Sequence, residues 1–148
     1  MKPAREILLV EDDRNEVAVV RRAIDRAGLS VQVKVAADGM EALKALGLER
    51  GGETPPASPA VVFLDLRMPR VDGFEVLRRL RSDPRTAVLP VVVVSSSDRS
   101  DDIQRSYELG ANSFVLKRFD PHGPGSYMAE AVRYWVGLNQ RPEEGSPR

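Results

Sequence analysis

Cysteine is absent from the 148 residues of this chain. Disulfides, thiolate zinc sites and thiol nucleophiles are therefore excluded, and the composition fits a reducing cytoplasm. Histidine is almost as scarce. His122 is the only one, set in the breaker-rich stretch Asp120-Pro121-His122-Gly123-Pro124-Gly125, so a Ser-His-Asp triad or a histidine-rich metal centre would have to be built on a loop residue. Net charge is absent too: 22 basic side chains face 22 acidic ones, interleaved along the chain. Without a global positive field there is no basis for non-specific nucleic-acid binding. Long apolar runs are missing as well. Stretches such as Val91 to Val94 fall far short of the roughly 20 residues that span a bilayer, and the start Lys2-Pro3-Ala4-Arg5 lacks an apolar signal segment, so no membrane association is expected.

What is present describes one soluble domain, 42% hydrophobic and 30% charged. A chain of this length buries roughly 70% of the surface its unfolded form exposes, enough for a core without staples.

Ile7-Leu8-Leu9-Val10 is a short continuous apolar run, as expected of a strand buried on both faces. From Asn15 the period changes. Val17, Val20, Ile24 and Ala27 mark one helix face, with Gly28 placed to end it. Val31, Val33 and Val35 alternate with polar residues, which predicts a second, less covered strand. Asp38-Gly39-Met40-Glu41 resembles a capping box that opens a helix through about Leu46.

Residues 47–60 hold three glycines and three prolines without a hydrophobic period, and read as a surface loop free of apolar anchors. Val61 to Leu64 and Val91 to Val94 read as the third and fourth strands. Phe74, Leu77 and Leu80 mark a helix between them that ends near Asp83-Pro84. A fourth helix is expected over about Ser100 to Leu109, with Ile103 and Tyr107 inward and Gly110 as its stop. Ser113-Phe114-Val115-Leu116 makes a fifth strand, and Met128, Val132 and Trp135 mark a last helix. The alternation predicts an α/β fold, a doubly wound five-stranded parallel sheet with five helices. One domain is expected over 1–138, followed by a disordered polar tail over 139–148.

In such a sheet, ligands bind at the carboxyl ends of the strands near the point where strand order reverses. The strand ends read Glu11-Asp12-Asp13, Asp65, Ser95-Ser96-Ser97 and Lys117. Singly, an acid after a strand is commonly only a helix cap, and a run of serines only a turn. Together, three or four carboxylates, a hydroxyl and an ammonium would converge on one rim. Clustered carboxylates raise one another's pKa, and a divalent cation relieves them. With oxygen donors alone the expected ion is hard, Mg²⁺ or else Mn²⁺, keeping several waters. The set suits phosphoryl transfer to Asp65, with Lys117 and Ser95 holding the equatorial oxygens.

Four segments carry a family likeness: Ile7-Leu8-Leu9-Val10-Glu11-Asp12-Asp13, Phe63-Leu64-Asp65-Leu66-Arg67-Met68-Pro69-Arg70-Val71-Asp72-Gly73, Pro90-Val91-Val92-Val93-Val94-Ser95 and Phe114-Val115-Leu116-Lys117. They resemble the receiver domain of two-component response regulators, a flavodoxin-like fold, over about residues 6–138. The resemblance implies a phosphoacceptor at Asp65 and Mg²⁺ held by Glu11 (often through water), Asp12, Asp65 and the main-chain carbonyl of Arg67. It also implies a switch pair in Ser95 and Phe114, and a sensor histidine kinase as phosphoryl donor. In the family a proline usually follows the lysine, joined by a cis peptide. Here Arg118 follows Lys117. A cis bond there would cost about 3 kcal/mol, so the bond is expected to be trans or to be held by tight packing. Phe114 also lacks the hydroxyl that a tyrosine would turn inward.

The stretch Asp98 to Ser113, the loop after the second helix and Tyr134-Trp135 resemble a narrower group, stand-alone receivers paired with bacteriophytochrome-like sensor kinases. About ten residues follow the last helix, too few for a helix-turn-helix output unit, so the expected output is contact with another protein or relay to a histidine phosphotransfer protein. A second stripe on that helix, Tyr127, Ala131, Tyr134 and Leu138, suggests a homodimer surface.

Two other readings compete. A small Mg-dependent aspartyl phosphatase would resemble haloacid dehalogenases, but Arg67 stands where their second aspartate acts as general acid. A receiver-like scaffold independent of phosphorylation would not need Asp12, Asp65, Ser95 and Lys117 together.

Overall fold

Five strands form one parallel sheet: β1 (Arg5–Val10), β2 (Val31–Ala36), β3 (Val61–Leu64), β4 (Val91–Ser95) and β5 (Ser113–Leu116), in spatial order β2-β1-β3-β4-β5. The computed structural model describes residues 5–49, 58–117 and 122–142. The helices between and after the strands are α1 (Arg14–Arg26), α2 (Gly39–Ala45), α3 (Gly73–Ser82), α4 (Ser100–Glu108) and α5 (Ser126–Val132), the last continued by a π-helical turn, Arg133–Leu138. This is the flavodoxin-like arrangement of five parallel strands and five helices. Among the described residues no helix is long and apolar enough to cross a membrane.

Strand parity divides the core. Alternate side chains point to opposite faces, so Leu8, Val10, Val62, Leu64, Val91 and Val93 build one buried layer beneath α2 and α3. Ile7, Leu9, Val61, Phe63, Val92 and Val94 build the other, beneath α1 and α5. This two-sided burial is why β1, β3 and β4 read as unbroken apolar runs. β2, at one edge, keeps its alternation of half-buried and exposed residues.

Aspartates open the first three helices. Asp13 accepts from the Asn15 N–H at 2.8 Å, Asp38 from Glu41 at 2.8 Å and Asp72 from Glu75 at 3.0 Å, each satisfying a donor that would otherwise lack an intrahelical partner.

Three local expectations are corrected. Residues 47–60 do carry an apolar anchor. Leu48 is buried in the α2/α3 layer, and its N–H donates to the Leu43 carbonyl at 2.8 Å, closing the end of α2. Tyr107 points outward, half exposed, and the inward position on α4 belongs to Ser106, fully buried with its hydroxyl donating to the Asp102 carbonyl at 2.7 Å. This small side chain satisfies its hydroxyl on its own helix. Finally, α-helical spacing does not hold to Leu138, because the Asn139 N–H reaches back five residues to the Tyr134 carbonyl at 2.8 Å. The second stripe is split accordingly. Tyr127 and Ala131 pack against the α1/α5 layer, while Tyr134 and Leu138 are exposed.

Of the expected tail, Asn139 makes the bond just described and Arg141 donates to the Pro59 carbonyl at 3.1 Å. Residues 143–148 lie outside the described residues.

Candidate functional site

Because all five strands run the same way, their carboxyl ends share one rim, and β1 and β3 lie side by side where the strand order reverses. The chain leaves β1 at Glu11, whose N–H still pairs with the Ala36 carbonyl of β2 at 3.0 Å. It leaves β3 at Asp65, whose N–H pairs with Val10 at 3.1 Å. These backbone bonds fix Glu11 and Asp65 as neighbours, and both are buried. Asp12 stands beside them, exposed. One carboxylate oxygen from each of Glu11, Asp12 and Asp65 lies within 4.8 Å of the others. Asp13 is not part of this group; its side chain is spent on capping α1.

Lys117 follows β5, where its N–H is anchored to the Ser95 carbonyl at 2.8 Å. Its ammonium lies 2.6 Å from Glu11 Oε1 and 3.8 Å from Asp65 Oδ2. A hydrogen bond therefore joins lysine to Glu11, and Asp65 feels the same charge from further away.

The electrostatics follow that asymmetry. Burial and the Glu11 charge beside it push the Asp65 carboxyl up to about 7, only partly countered by Lys117. Burial also works to raise Glu11, but the Lys117 hydrogen bond and charge outweigh it and hold Glu11 below the usual carboxylate range. Partial desolvation and the neighbouring Glu11 raise Asp12. Burial would lower Lys117, yet the Glu11 hydrogen bond and the charges of Asp65, Glu11 and Glu16 raise it. Three carboxylates facing one ammonium thus make Asp65 harder to ionise than an ordinary aspartate, as expected of a donor set short of positive charge.

Ser95 occupies the end of β4, fully buried. Its parity matches Val93, so it projects to the α2/α3 side, whereas Asp65 shares the parity of Phe63 on the other side. Its oxygen accepts the Ser97 N–H at 3.1 Å. Phe114 pairs in register with Val93 and packs, half-buried, against the same α2/α3 layer as Ser95 faces. The two proposed switch residues thus share one face. The Lys117–Arg118 peptide reaches outside the described residues.

Arg67 contributes twice. Its N–H lies 3.4 Å from Asp65 Oδ1, and its guanidinium pairs with Asp102 of α4 at 3.2 Å. Asp102 also accepts the Ser97 hydroxyl at 2.7 Å. Between this loop and α4 opens a cleft of about 640 Å³ that begins at Asp12 and is walled by Arg67, Met68, Phe74 and Arg105. The Arg105 guanidinium lies over the Phe74 ring at 4.2 Å.

The strand-end reading found Glu11, Asp12, Asp65 and Lys117, which the fold brings together, and Ser95 at the adjacent strand end with a partner of its own. It missed Arg70 and Asp38. Arg70 takes a left-handed conformation, φ +67°, and its guanidinium is hydrogen-bonded to the buried Asp38 carboxylate. Asp38 was visible only as a cap, and no local signal marks an arginine for that conformation.

A family model described as the response regulator receiver domain matches residues 7–123. The probable methanogenesis regulatory protein FilR2 of Methanothrix harundinacea is 37% identical over 136 residues, covering 92% of this chain and 86% of that relative. Among solved structures, the phosphorylated cyanobacterial phytochrome response regulator RcpA superposes with a TM-score of 0.82 at 30% identity, covering 95% of this chain and 99% of that one. The Mn²⁺-bound form of response regulator Rcp1 superposes at 0.80 with 28% identity, covering 94% and 99%.

Proposed function

Since the chain belongs to the response regulator receiver family, we propose that it is a phosphorylation switch that takes a phosphoryl group on Asp65 from a sensor histidine kinase. The observation that carries this reading is the placement of Asp65 at the reversal of strand order, flanked by Glu11 and Asp12, with the Lys117 ammonium 3.8 Å away.

In this reading a carboxylate oxygen of Asp65 attacks phosphorus, the bond from phosphorus to the donor's imidazole nitrogen breaks, and the imidazole departs with a proton. Lys117 turns from Glu11 toward the transferred group, and Ser95, its oxygen free to keep accepting the Ser97 N–H, donates its hydroxyl hydrogen to a phosphoryl oxygen. The donor set fits a hard divalent cation, because it offers only oxygens and its Asp65 carboxyl is raised for want of positive charge. Glu11, Asp12, Asp65 and the main-chain carbonyl of Arg67 would hold it, and Mg²⁺ is the ion we assign, with Mn²⁺ as substitute. When bound, it would supply the charge that favours ionised Asp65 and offsets the incoming phosphoryl oxygens.

The reading assigns no turnover of free substrates, only self-phosphorylation and loss of phosphate from Asp65. The side chain at the position a phosphatase would use for its acid, Arg67, is paired with Asp102. The kinase we favour is phytochrome-type, by likeness to RcpA. The compartment we assign is the cytoplasm, where ATP-charged donors are present. We place the receiver over residues 1–138. Output passes through Ser95 and Phe114 to a second copy of the chain or to a histidine phosphotransfer protein. The test is incubation with acetyl phosphate and Mg²⁺ followed by intact mass. One added phosphoryl group on the parent and none on Asp65→Asn is the expected result, and phosphate on the Asn variant would move the acceptor elsewhere.

A further inference from the structure

The loop from Asp65 to Gly73 is closed on itself at its root. The Gly73 N–H donates to the Leu66 carbonyl at 3.0 Å, and a Cβ on Gly73 would stand 2.4 Å from the Asp65 carbonyl oxygen. Its outer half leans on the start of α2, where a Cβ on Gly39 would stand 2.1 Å from the Val71 carbonyl oxygen. Between these two contacts sits Arg70, an L-residue at φ +67°, a conformation that costs free energy for any side chain with a Cβ. Its guanidinium reaches one oxygen of Asp38, which is buried and accepts the Glu41 N–H on the other.

We propose that the Asp38–Arg70 pair is a positioning device for the metal site: it keeps Arg70 left-handed and so fixes the Arg67 carbonyl three residues upstream. The inference rests on the reading above in which that carbonyl is a ligand. Neither residue touches the carboxylate cluster. Their effect on the cation passes through the backbone of the loop, as groups behind a ligand do when they set its orientation.

Substitutions at Arg70 separate a positioning role from a merely structural one. Glycine adopts positive φ freely, so Arg70→Gly keeps the loop shape without the tether, whereas Arg70→Ala loses the tether and keeps the strain. Mg²⁺ affinity is measured by titration calorimetry on the full chain, alongside melting of the metal-free protein. We expect Arg70→Ala to weaken Mg²⁺ about tenfold, Arg70→Gly to stay within about threefold of the parent, and Arg70→Lys to recover most of the loss. Asp38→Asn retains an oxygen for the Glu41 N–H, and should weaken Mg²⁺ in the parent but not on top of Arg70→Gly. Equal Mg²⁺ affinity in all variants, with only the melting temperature falling, would reduce the pair to a scaffold contact and overturn the proposal. Asp12→Ala serves as control. If it too leaves Mg²⁺ affinity unchanged, the metal reading itself fails; if it abolishes binding while Arg70→Ala does not, only the positioning role is lost.

Discussion

Lys117 is hydrogen-bonded to Glu11 rather than to Asp65: its ammonium is 2.6 Å from the glutamate and 3.8 Å from the aspartate. The ammonium proposed to serve the phosphoryl group meanwhile neutralises a buried carboxylate other than the proposed acceptor. Glu11 is held below its ordinary 4.5 and Lys117 above its ordinary 10.5, so the pair's contribution to stability is present between those values. It is lost as pH falls through the depressed glutamate or rises through the elevated lysine.

Lys117→Ala should therefore abolish phosphorylation and lower stability at pH 7 by about 2–3 kcal/mol, since breaking a buried pair leaves one partner unmatched, while the orphaned carboxyl can take up a proton instead. Urea unfolding at pH 7 and pH 4 measures this. The deficit should shrink at the lower pH, and a pH-independent deficit would mean that lost packing rather than lost charge is responsible.

Asp65 makes the opposite demand. Its carboxyl is pushed up to about 7 from 3.8, so its favourable contribution is complete below about 4 and is lost as pH rises through 7. Asp65→Asn removes the titration. The metal-free variant should be more stable than the parent by about 1–3 kcal/mol at pH 8, with the difference closing toward pH 4. Adding Mg²⁺ should stabilise the parent and leave the variant nearly unchanged.

Leu48 sets the limit on shortening the loop after α2. It is 6% exposed, within the α2/α3 layer, and Leu48→Ala should cost about 2–4 kcal/mol. Replacing residues 50–57 by a few polar residues should leave phosphorylation by acetyl phosphate intact, because closure entropy changes slowly with length. Loss of phosphorylation in the shortened chain would show that this segment contacts the site.

Tyr134 and Leu138 are 47% and 71% exposed and are the exposed half of the stripe that suggested a dimer. Sedimentation of the parent at high micromolar concentration should show a dimer, and Tyr134→Glu/Leu138→Glu should restore the monomer. A parent that is monomeric with and without phosphorylation would leave this face to a different protein.

The sequence made the sheet legible because burial on both faces writes itself as unbroken apolar runs, and β3 and β4 fall where the runs lie. The carboxylate rim was legible for the related reason that parallel strands share one end. What stayed hidden depends on contacts between distant segments or on backbone geometry without a composition signal. Ser106, not Tyr107, takes the fully buried position on α4, and an aromatic residue at helical spacing misleads where a small residue beside it faces inward. The left-handed Arg70 is paired with Asp38, 32 residues away. The second stripe failed at Arg133 because the winding changes there.

That wider winding gives the end of the chain some slack. Over Arg133–Leu138 the helix accommodates more residues per turn than an α-helix does, while Arg5 still reaches the Val136 carbonyl at 2.5 Å and Arg141 the Pro59 carbonyl at 3.1 Å. Removing one residue inside this stretch would tighten it to α-helical pitch and leave both anchors within reach. The same deletion inside α3 would swing every following side chain about 100° around its axis. Length variation of one residue is thus absorbed at the carboxyl end of the fold, remote in sequence from Asp65, and natural indels in this chain's lineage should collect there.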